Sequence, residues 1–217
     1  PDFRSQFLAQ EVPLPDAAVI THVHFDHLDG LGNAYRLLPD LAVHAADETD
    51  PHTGESVAET VSRRYDYLDQ IDVYPERPGE PFRAAGFDVT LVPVDHPPMV
   101  SYGVVVEDDD AKLSITGDTN FGIPEPSRRR LADADLLLAD GILPAAACEH
   151  HPFGGRHENE DGVPRTFGNK HMTREGAIEM AEVLRAEVFR VVHASHRYPV
   201  EEAFADEMAV DGEIFVL

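Results

Sequence analysis

The sequence has few residues that could cross-link it and none of the long apolar runs that anchor a protein in a bilayer. It contains one cysteine, Cys148, and no tryptophan among 217 residues. One cysteine excludes an internal disulfide and a cysteine-rich zinc site, and it is typical of a reducing compartment. No apolar run reaches the roughly 18 residues of a membrane helix, and the opening PDFRSQFLAQ lacks the apolar centre of a signal peptide. We therefore expect a cytoplasmic protein without a membrane segment.

Basic residues are also scarce. Lysine and arginine total 17 against 41 aspartates and glutamates, which gives a net charge of −24, and there are two lysines, Lys112 and Lys170. In dilute salt such a surface repels polyanions, which disfavours a nucleic-acid partner. In molar salt, however, the screening length falls to about 3 Å. The cytosolic proteins of salt-accumulating microbes share this acidic, lysine-poor composition, so the charge is interpreted as an adaptation to solvent.

Short apolar runs alternate with amphipathic segments along the chain, which predicts an α/β layer fold. We expect strands at 17–22, 41–46, 82–96 with a break at Pro93, 101–118 as a hairpin, 136–140, 188–196 and the closing GEIFVL. We expect helices at 3–10, 27–37, 56–70 and 174–186. Thr173 is the expected N-cap of the last helix. The Pro-, Gly- and His-rich segment 144–170 is predicted to be a long loop over a functional site.

The stretch VITHVHFDHLDG, residues 19 to 30, places four metal-binding side chains in six residues at the end of an apolar strand. Residues i and i+2 of an extended chain point the same way, so His22 and His24 can share one ion. Asp26 and His27 follow where the chain must turn into a helix, and they can serve a second ion. Histidine and carboxylate ligands without thiolate suit zinc, manganese or iron.

Other predicted strands end in the same kind of residue. VTLVPVDH ends in His96, LSITGD in Asp118 and FRVVH in His193. Ligands at the carboxyl ends of strands in an α/β sheet converge on one edge. With the first motif they make seven potential ligands, enough for two ions, and Asp118 can bridge them.

The series HVHFDH, VDH, SITGDT and VVHASH resembles the metallo-β-lactamase superfamily of dinuclear hydrolases over nearly the whole chain. The resemblance implies a four-layered αββα sandwich, formed by residues 1–217 as a single domain. It also implies two divalent ions, zinc or manganese. By this likeness His22, His24 and His96 hold one ion, Asp26, His27 and His193 hold the other, and Asp118 bridges.

One further histidine indicates the branch of this superfamily. Asn169-Lys170-His171 precedes a predicted helix, and a closing HxSH motif follows. This pattern is similar to the phosphodiesterase branch, which includes phosphoribosyl 1,2-cyclic phosphate phosphodiesterase and, more distantly, ribonuclease Z. The resemblance implies a small cyclic phosphodiester as substrate. Asp26 would orient the attacking hydroxide, and His171 would contact the phosphate and assist the leaving group.

Several alternatives stay open at this point. A ribonuclease Z-like tRNA 3′-processing nuclease would need a basic arm, which the sequence does not offer. A thioester or lactone hydrolase on the same fold, or a catalytically silent metal-binding protein, are the others. His150, His151, His157 and His196 could contact substrate or be solvated. A homodimer is the expected oligomer.

The start of the sequence carries one further expectation. Members of the superfamily have several strands before the segment that resembles PDFRSQ. The resemblance therefore implies that the N-terminal part of the family domain is absent, and that the core around His22 is exposed.

Overall fold

A computed structural model describes residues 3–10, 13–34, 38–148 and 161–217. They form two compact units, Pro1–Leu91 and Val92–Leu217, and each is considered by itself below. The helices are α1 Phe3–Gln10, α2 Phe25–Leu28, α3 Leu31–Ala34, α4 Val57–Arg64, α5 Glu125–Leu131, α6 Ala145–Cys148 and α7 Arg174–Val183. The strands are β1 Ala17–Ile20, β2 Leu41–Ala46, β3 Ile71–Glu76, β4 Pro81–Ala84, β5 Phe87–Val94, β6 Ser101–Glu107, β7 Lys112–Ile115, β8 Leu136–Asp140, β9 Thr166–Phe167, β10 His171–Met172 and β11 Val188–Val192.

The first unit is built on a parallel three-stranded sheet in the order β1-β2-β3. β2 lies in the middle and is apolar on both faces, as expected for a parallel strand covered from both sides. Helix α4 packs against β2 and β3 and begins with a complete capping box, in which Ser56 and Glu59 satisfy each other's backbone N–H groups. The hydroxyl of Tyr65, at the end of α4, donates to the carbonyl of Leu28 at 2.8 Å. This bond joins the end of α4 to Leu28, the residue that follows the HVHFDH motif.

The second unit contains a mixed sheet in the order β11-β8-β7-β6, continued by the carboxyl-terminal part of β5. β11, β8 and β7 run parallel, whereas β6 and β7 form the antiparallel hairpin expected for 101–118. Helix α7 packs on β8 and β11 through Ala177, Met180 and Ala181, which are buried. Lys112, at the start of β7, donates from Nζ to the carbonyl of Ala132 at 2.6 Å. The parallel strands place their carboxyl ends at one edge, where the second half of the candidate site lies.

Several expected elements differ from the structure. Segment 56–70 is helical only from Val57 to Arg64 and is followed by β3, which was not predicted. β5 runs through Pro93 without a break, because Pro93 is exposed and its carbonyl accepts a hydrogen bond from the Ser127 hydroxyl of α5. The closing GEIFVL is not a strand; Arg190 holds this segment through an ion pair with Glu213.

Two segments near the candidate site also differ from expectation. Segment 27–37 contains α2 and α3 rather than one helix, and residues 35–37 lie outside the described part. The expected long loop 144–170 contains α6 and the strand β9, which pairs with β10. His150, His151 and His157 lie outside the described residues.

Among the described residues, no helix combines the length and apolar character needed to cross a bilayer. The core around His22 is closed rather than open, since the side chain of His22 is fully buried.

Candidate functional site

In the first unit the turn from β1 into α2 arranges the HVHFDH motif. β1 ends at Ile20, and His24, the residue before α2, has an extended backbone with φ −62° and ψ 149°. The carbonyl of His24 then accepts the first helical hydrogen bonds, from the N–H groups of His27 and Leu28. His22 and His24 therefore lie between β1 and α2, whereas Asp26 and His27 lie on the first turn of α2. This division is the one expected from the spacing.

The imidazoles of this motif are close together. Nε2 of His22 lies 3.0 Å from Nδ1 of His24, and the rings of His22 and His27 have their centroids 4.3 Å apart. A carboxylate oxygen of Asp26 lies 3.5 Å from Nε2 of His27. Two imidazole nitrogens on one tetrahedral zinc, each about 2.0–2.1 Å from the ion, are roughly 3.3 Å apart. The spacing of His22 and His24 is thus close to that of two ligands of one ion.

In the second unit the strand ends supply the remaining predicted residues. His96 follows β5, Asp118 follows β7 and His193 follows β11 directly. His96 and Asp118 are buried, and Oδ2 of Asp118 lies 3.4 Å from Nε2 of His193. His193 has a positive φ of 65°, an uncommon conformation for a residue with a side chain, and such strain is concentrated at functional sites.

Asp140, the last residue of β8, lies between two of these histidines. Its Oδ2 is 3.0 Å from Nδ1 of His171, and its Oδ1 is 3.2 Å from Nδ1 of His193. The backbone N–H of Thr119 also donates to Oδ2, at 3.0 Å. With Nδ1 of each ring directed at the carboxylate, Nε2 is the nitrogen that would bind a metal ion or carry a proton. Asp140 was not among the predicted site residues, although LLLAD ends a predicted strand in the same way as the motifs that were used.

His171 lies at the start of β10 and is half-buried. Its ring is stacked on that of His193, with centroids 5.0 Å apart, and meets His96 edge-on at 4.8 Å. Single ligand atoms of Asp118, Asp140, His171 and His193 all lie within 4.8 Å of one another. The second unit thus brings His171 close to His96, Asp118 and His193.

Gly117 of the SITGD motif has a backbone conformation that determines where Asp118 lies. Its φ is 62°, and a Cβ built there would be 2.5 Å from the carbonyl oxygen of Tyr102 on β6. We expect Gly117→Ala to lower the free energy of unfolding by about 3 kcal/mol, because left-handed strain and a backbone clash act together. The measurement is urea unfolding of the metal-free protein.

Gly54 supplies the matched control for this prediction. Its φ is 78°, but a Cβ there would have no atom within 4 Å. Gly54→Ala should cost only the conformational strain, about 1–2 kcal/mol. Equal losses in the two variants would show that the Tyr102 contact has no effect.

The donors in each unit fit a divalent cation. Asp118 and Asp140 are buried carboxylates, and buried charges are normally paired or bound to metal. Their neighbours here are histidines, and imidazole with carboxylate suits zinc, manganese or iron. The single thiol is not part of this set, since burial raises the pKa of Cys148 to about 11 and leaves it an inert core residue.

One known family matches most of the chain. The family described as "Beta-lactamase superfamily domain" matches residues 1–194. The chain belongs to the beta-lactamase superfamily. The α/β fold predicted from HVHFDH and SITGDT is confirmed as the metallo-β-lactamase fold. Members of this superfamily usually bind divalent metals.

Similar solved structures support the fold. A crystal structure described as a new diphosphatase from the PhnP family has a TM-score of 0.71 and 24% identity, covering 98% of this chain and 75% of that one. The short form of human tRNase Z has a TM-score of 0.64 and 18% identity, covering 89% of this chain and 78% of that one. An octanoyltransferase of Porphyromonas gingivalis is 30% identical over 105 aligned residues, and the match covers 43% of this chain and 19% of that protein. This chain therefore matches about a fifth of the length of that curated relative.

The closing HASH motif contributes His193 to the candidate site of this beta-lactamase superfamily member. Its second histidine is more exposed to solvent than the first. His196 is exposed. The backbone N–H of Ser195, between them, donates to the carbonyl of Ile142 at 3.0 Å, so the motif is held against the loop after β8.

Proposed function

We propose that this protein is a hydrolase, a dinuclear metal-dependent phosphodiesterase whose substrate is a small cyclic phosphodiester. The observation that carries the proposal is His171. Its Nδ1 is held by Asp140, it is stacked on His193, and it follows the NKH pattern of the phosphodiesterase branch. The substrate of a lactonase or thioesterase has no phosphate for such a residue to contact.

The proposed ligands divide between the two ions as the resemblance implies. One ion is bound by His22, His24 and His96, the other by Asp26, His27 and His193, and Asp118 bridges. Support comes from each unit separately: the close imidazoles of the first, and in the second the position of Asp118 near Nε2 of His193. Zinc and manganese both suit these ligands.

Bound divalent ions would neutralise phosphate oxygens and lower the pKa of water. Around them the protein side chains have separate tasks. Asp26, on the first turn of α2, orients the attacking water. His171 donates a proton from Nε2 to the leaving oxygen, while its Nδ1 keeps the bond to Asp140. Asp140 thereby fixes which nitrogen of His171 faces the substrate.

This proposal can be tested by removing metal from the protein, adding it back, and measuring the hydrolysis of chromogenic substrates. We expect the metal-depleted protein to be inactive, and the protein reconstituted with Zn²⁺ or Mn²⁺ to hydrolyse bis(p-nitrophenyl) phosphate but not a thioester or a lactone. Activity is followed by release of p-nitrophenol, with metal content measured on the same samples. Turnover of the thioester or lactone alone would overturn the phosphodiesterase proposal.

The tRNA-processing nuclease is the main alternative within the same fold. The short form of human tRNase Z shares the fold at 18% identity, but a net charge of −24 opposes a polyanionic substrate. Cleavage of a tRNA precursor at its 3′ end, faster than cleavage of a small diester, would favour this alternative.

We also propose a cellular location and a set of partners for the protein. A single cysteine fits a cytoplasmic location, and the acidic, lysine-poor composition fits a salt-rich cytoplasm. We propose a small-molecule substrate, a homodimer, and neither a membrane nor a nucleic-acid partner.

A further inference from the structure

The turn that carries His171 has an unusual backbone. Between β9 and β10, the N–H of Lys170 donates to the carbonyl of Phe167 at 3.1 Å, which closes a four-residue turn. Both central residues are left-handed, since φ is 57° at Gly168 and 57° at Asn169. Such turns favour glycine and asparagine, and by themselves they fix only the local shape. Where His171 lies therefore depends on what holds the turn.

Asn120 is one of the residues that hold it. Its side chain is buried, and its Nδ2 donates both to the carbonyl of Asn169, at 2.9 Å, and to Oδ2 of Asp95, at 2.7 Å. Its Oδ1 accepts from the N–H of Gly122 at 2.6 Å. Because both neighbours of Nδ2 are acceptors, only an amide in this orientation satisfies the group.

A second bond reaches the next peptide of the same turn. Nδ1 of His96 lies 2.8 Å from the carbonyl oxygen of Lys170. A carbonyl can only accept, so this nitrogen of His96 carries the hydrogen, and Nε2 is the nitrogen that would bind a metal ion. The carbonyls of the two residues before His171 are thus bound by Asn120 and by a proposed metal ligand.

We propose that Asn120 is a positioning residue that places His171 against the leaving group of the substrate. The proposal rests on the proposed function, in which His171 is the general acid. Asn120 does not contact the reacting atoms; it acts through the carbonyl of Asn169, two residues before His171. Asn120 comes directly after GDT in the sequence. The loop that contains Asp118 is therefore hydrogen-bonded to the turn that precedes His171.

The dependence of the rate on the leaving group tests this role. Aryl phosphodiesters with leaving phenols from 2,4-dinitrophenol to phenol are compared, because a poor leaving group needs the acid most. We expect Asn120→Ala to lower kcat about 10- to 100-fold for phenol and less than about threefold for dinitrophenol. His171→Ala should show the same selective loss, and metal content should stay that of the wild type.

Two further variants separate positioning from stability. Asn120→Asp places a carboxylate against Asp95 and against the carbonyl of Asn169, and it should lower the Tm as well. Adding Asp95→Asn to it restores a donor to that pair but not to Asn169. The double variant should therefore regain most of the Tm while keeping the leaving-group dependence of Asn120→Ala. Asn33→Asp, on an exposed residue of α3, controls for the added charge.

Amide hydrogen exchange gives a readout that does not need turnover. In the metal-loaded protein, exchange at residues 168–171 should be faster in Asn120→Ala than in the wild type. A wild-type leaving-group dependence in Asn120→Ala, when His171→Ala alters it, overturns the inference and leaves the proposed function standing. If the wild type hydrolyses no phosphodiester, the proposed function fails, and unchanged exchange at 168–171 then overturns the positioning role separately.

Discussion

Replacing His171 with alanine is expected to lower kcat for diphenyl phosphate, whose leaving phenol needs the acid most, by about 10²–10⁴-fold, the usual contribution of a general acid. The imidazole is held by Asp140 and stacked on His193, so its loss removes the only proton donor that the proposed mechanism assigns to the leaving oxygen. KM should change little, because the ions would still bind the phosphate. Steady-state kinetics and metal analysis on one preparation measure both quantities.

His52→Ala is the matched control, since His52 is an exposed histidine of the first unit. It should leave kcat unchanged. Loss of metal from His171→Ala would contradict the assignment and make His171 a ligand. Full activity with full metal content would remove it from the mechanism.

Asp140→Asn is expected to have a double effect. The amide keeps the shape of the side chain, but one oxygen is replaced by a donor, so it can accept from one of the two Nδ1 atoms and not from both. Under the proposed ligand set, His193 then loses orientation as a ligand or His171 as an acid. We expect metal affinity to fall about 10–100-fold, as is usual when the hydrogen-bond partner of a ligating histidine is removed. At saturating metal, kcat should still be below that of the wild type.

Asp135, the residue just before the same strand, offers the control. Its Oδ2 accepts from the N–H of Lys112 at 2.7 Å, a bond that an asparagine oxygen can also accept. Asp135→Asn removes the same formal charge and should change neither quantity. Metal titration by calorimetry, followed by kinetics with metal in excess, distinguishes the two effects. An Asp140→Asn protein with wild-type metal affinity and wild-type kcat would show that the carboxylate orients neither His171 nor His193.

Much of the fold follows from local pattern, and the exceptions have physical causes. β2 and β8 are continuous apolar runs, so burial on both faces predicts them directly. β3 contains Pro75 and alternates half-buried with exposed positions, which weakens its pattern. The closing GEIFVL has the composition of a strand, but Arg190 binds Glu213 and lies over the ring of Phe215, 5.1 Å from its centroid. Tertiary contacts with one arginine thus override the propensity of that segment.

Most of the candidate site residues were selected because a metal-binding side chain coincided with a predicted strand end. Spacing was enough for the turn at His24, because extended chain and helix direct side chains differently. Sequence pattern did not identify Asp140, although this residue ends a predicted strand. Only the structure shows that His171 and His193 both direct Nδ1 at its carboxylate. Asn120 had no signal of its own, because an amide after GDT is chemically unremarkable until its partner Asn169, far along the chain, is known.

The bond between Lys112 and Ala132 has a practical consequence for chemical labelling. The chain has two lysines, and the Nζ of Lys112 is already engaged by a backbone carbonyl. An acylating reagent that needs an available lysine amine is therefore directed to Lys170, the residue before His171. A fluorophore attached there would sit on the turn between β9 and β10, and its emission would report motion of that turn. The shortage of lysine thus makes a nearly single-site probe possible without introducing a cysteine.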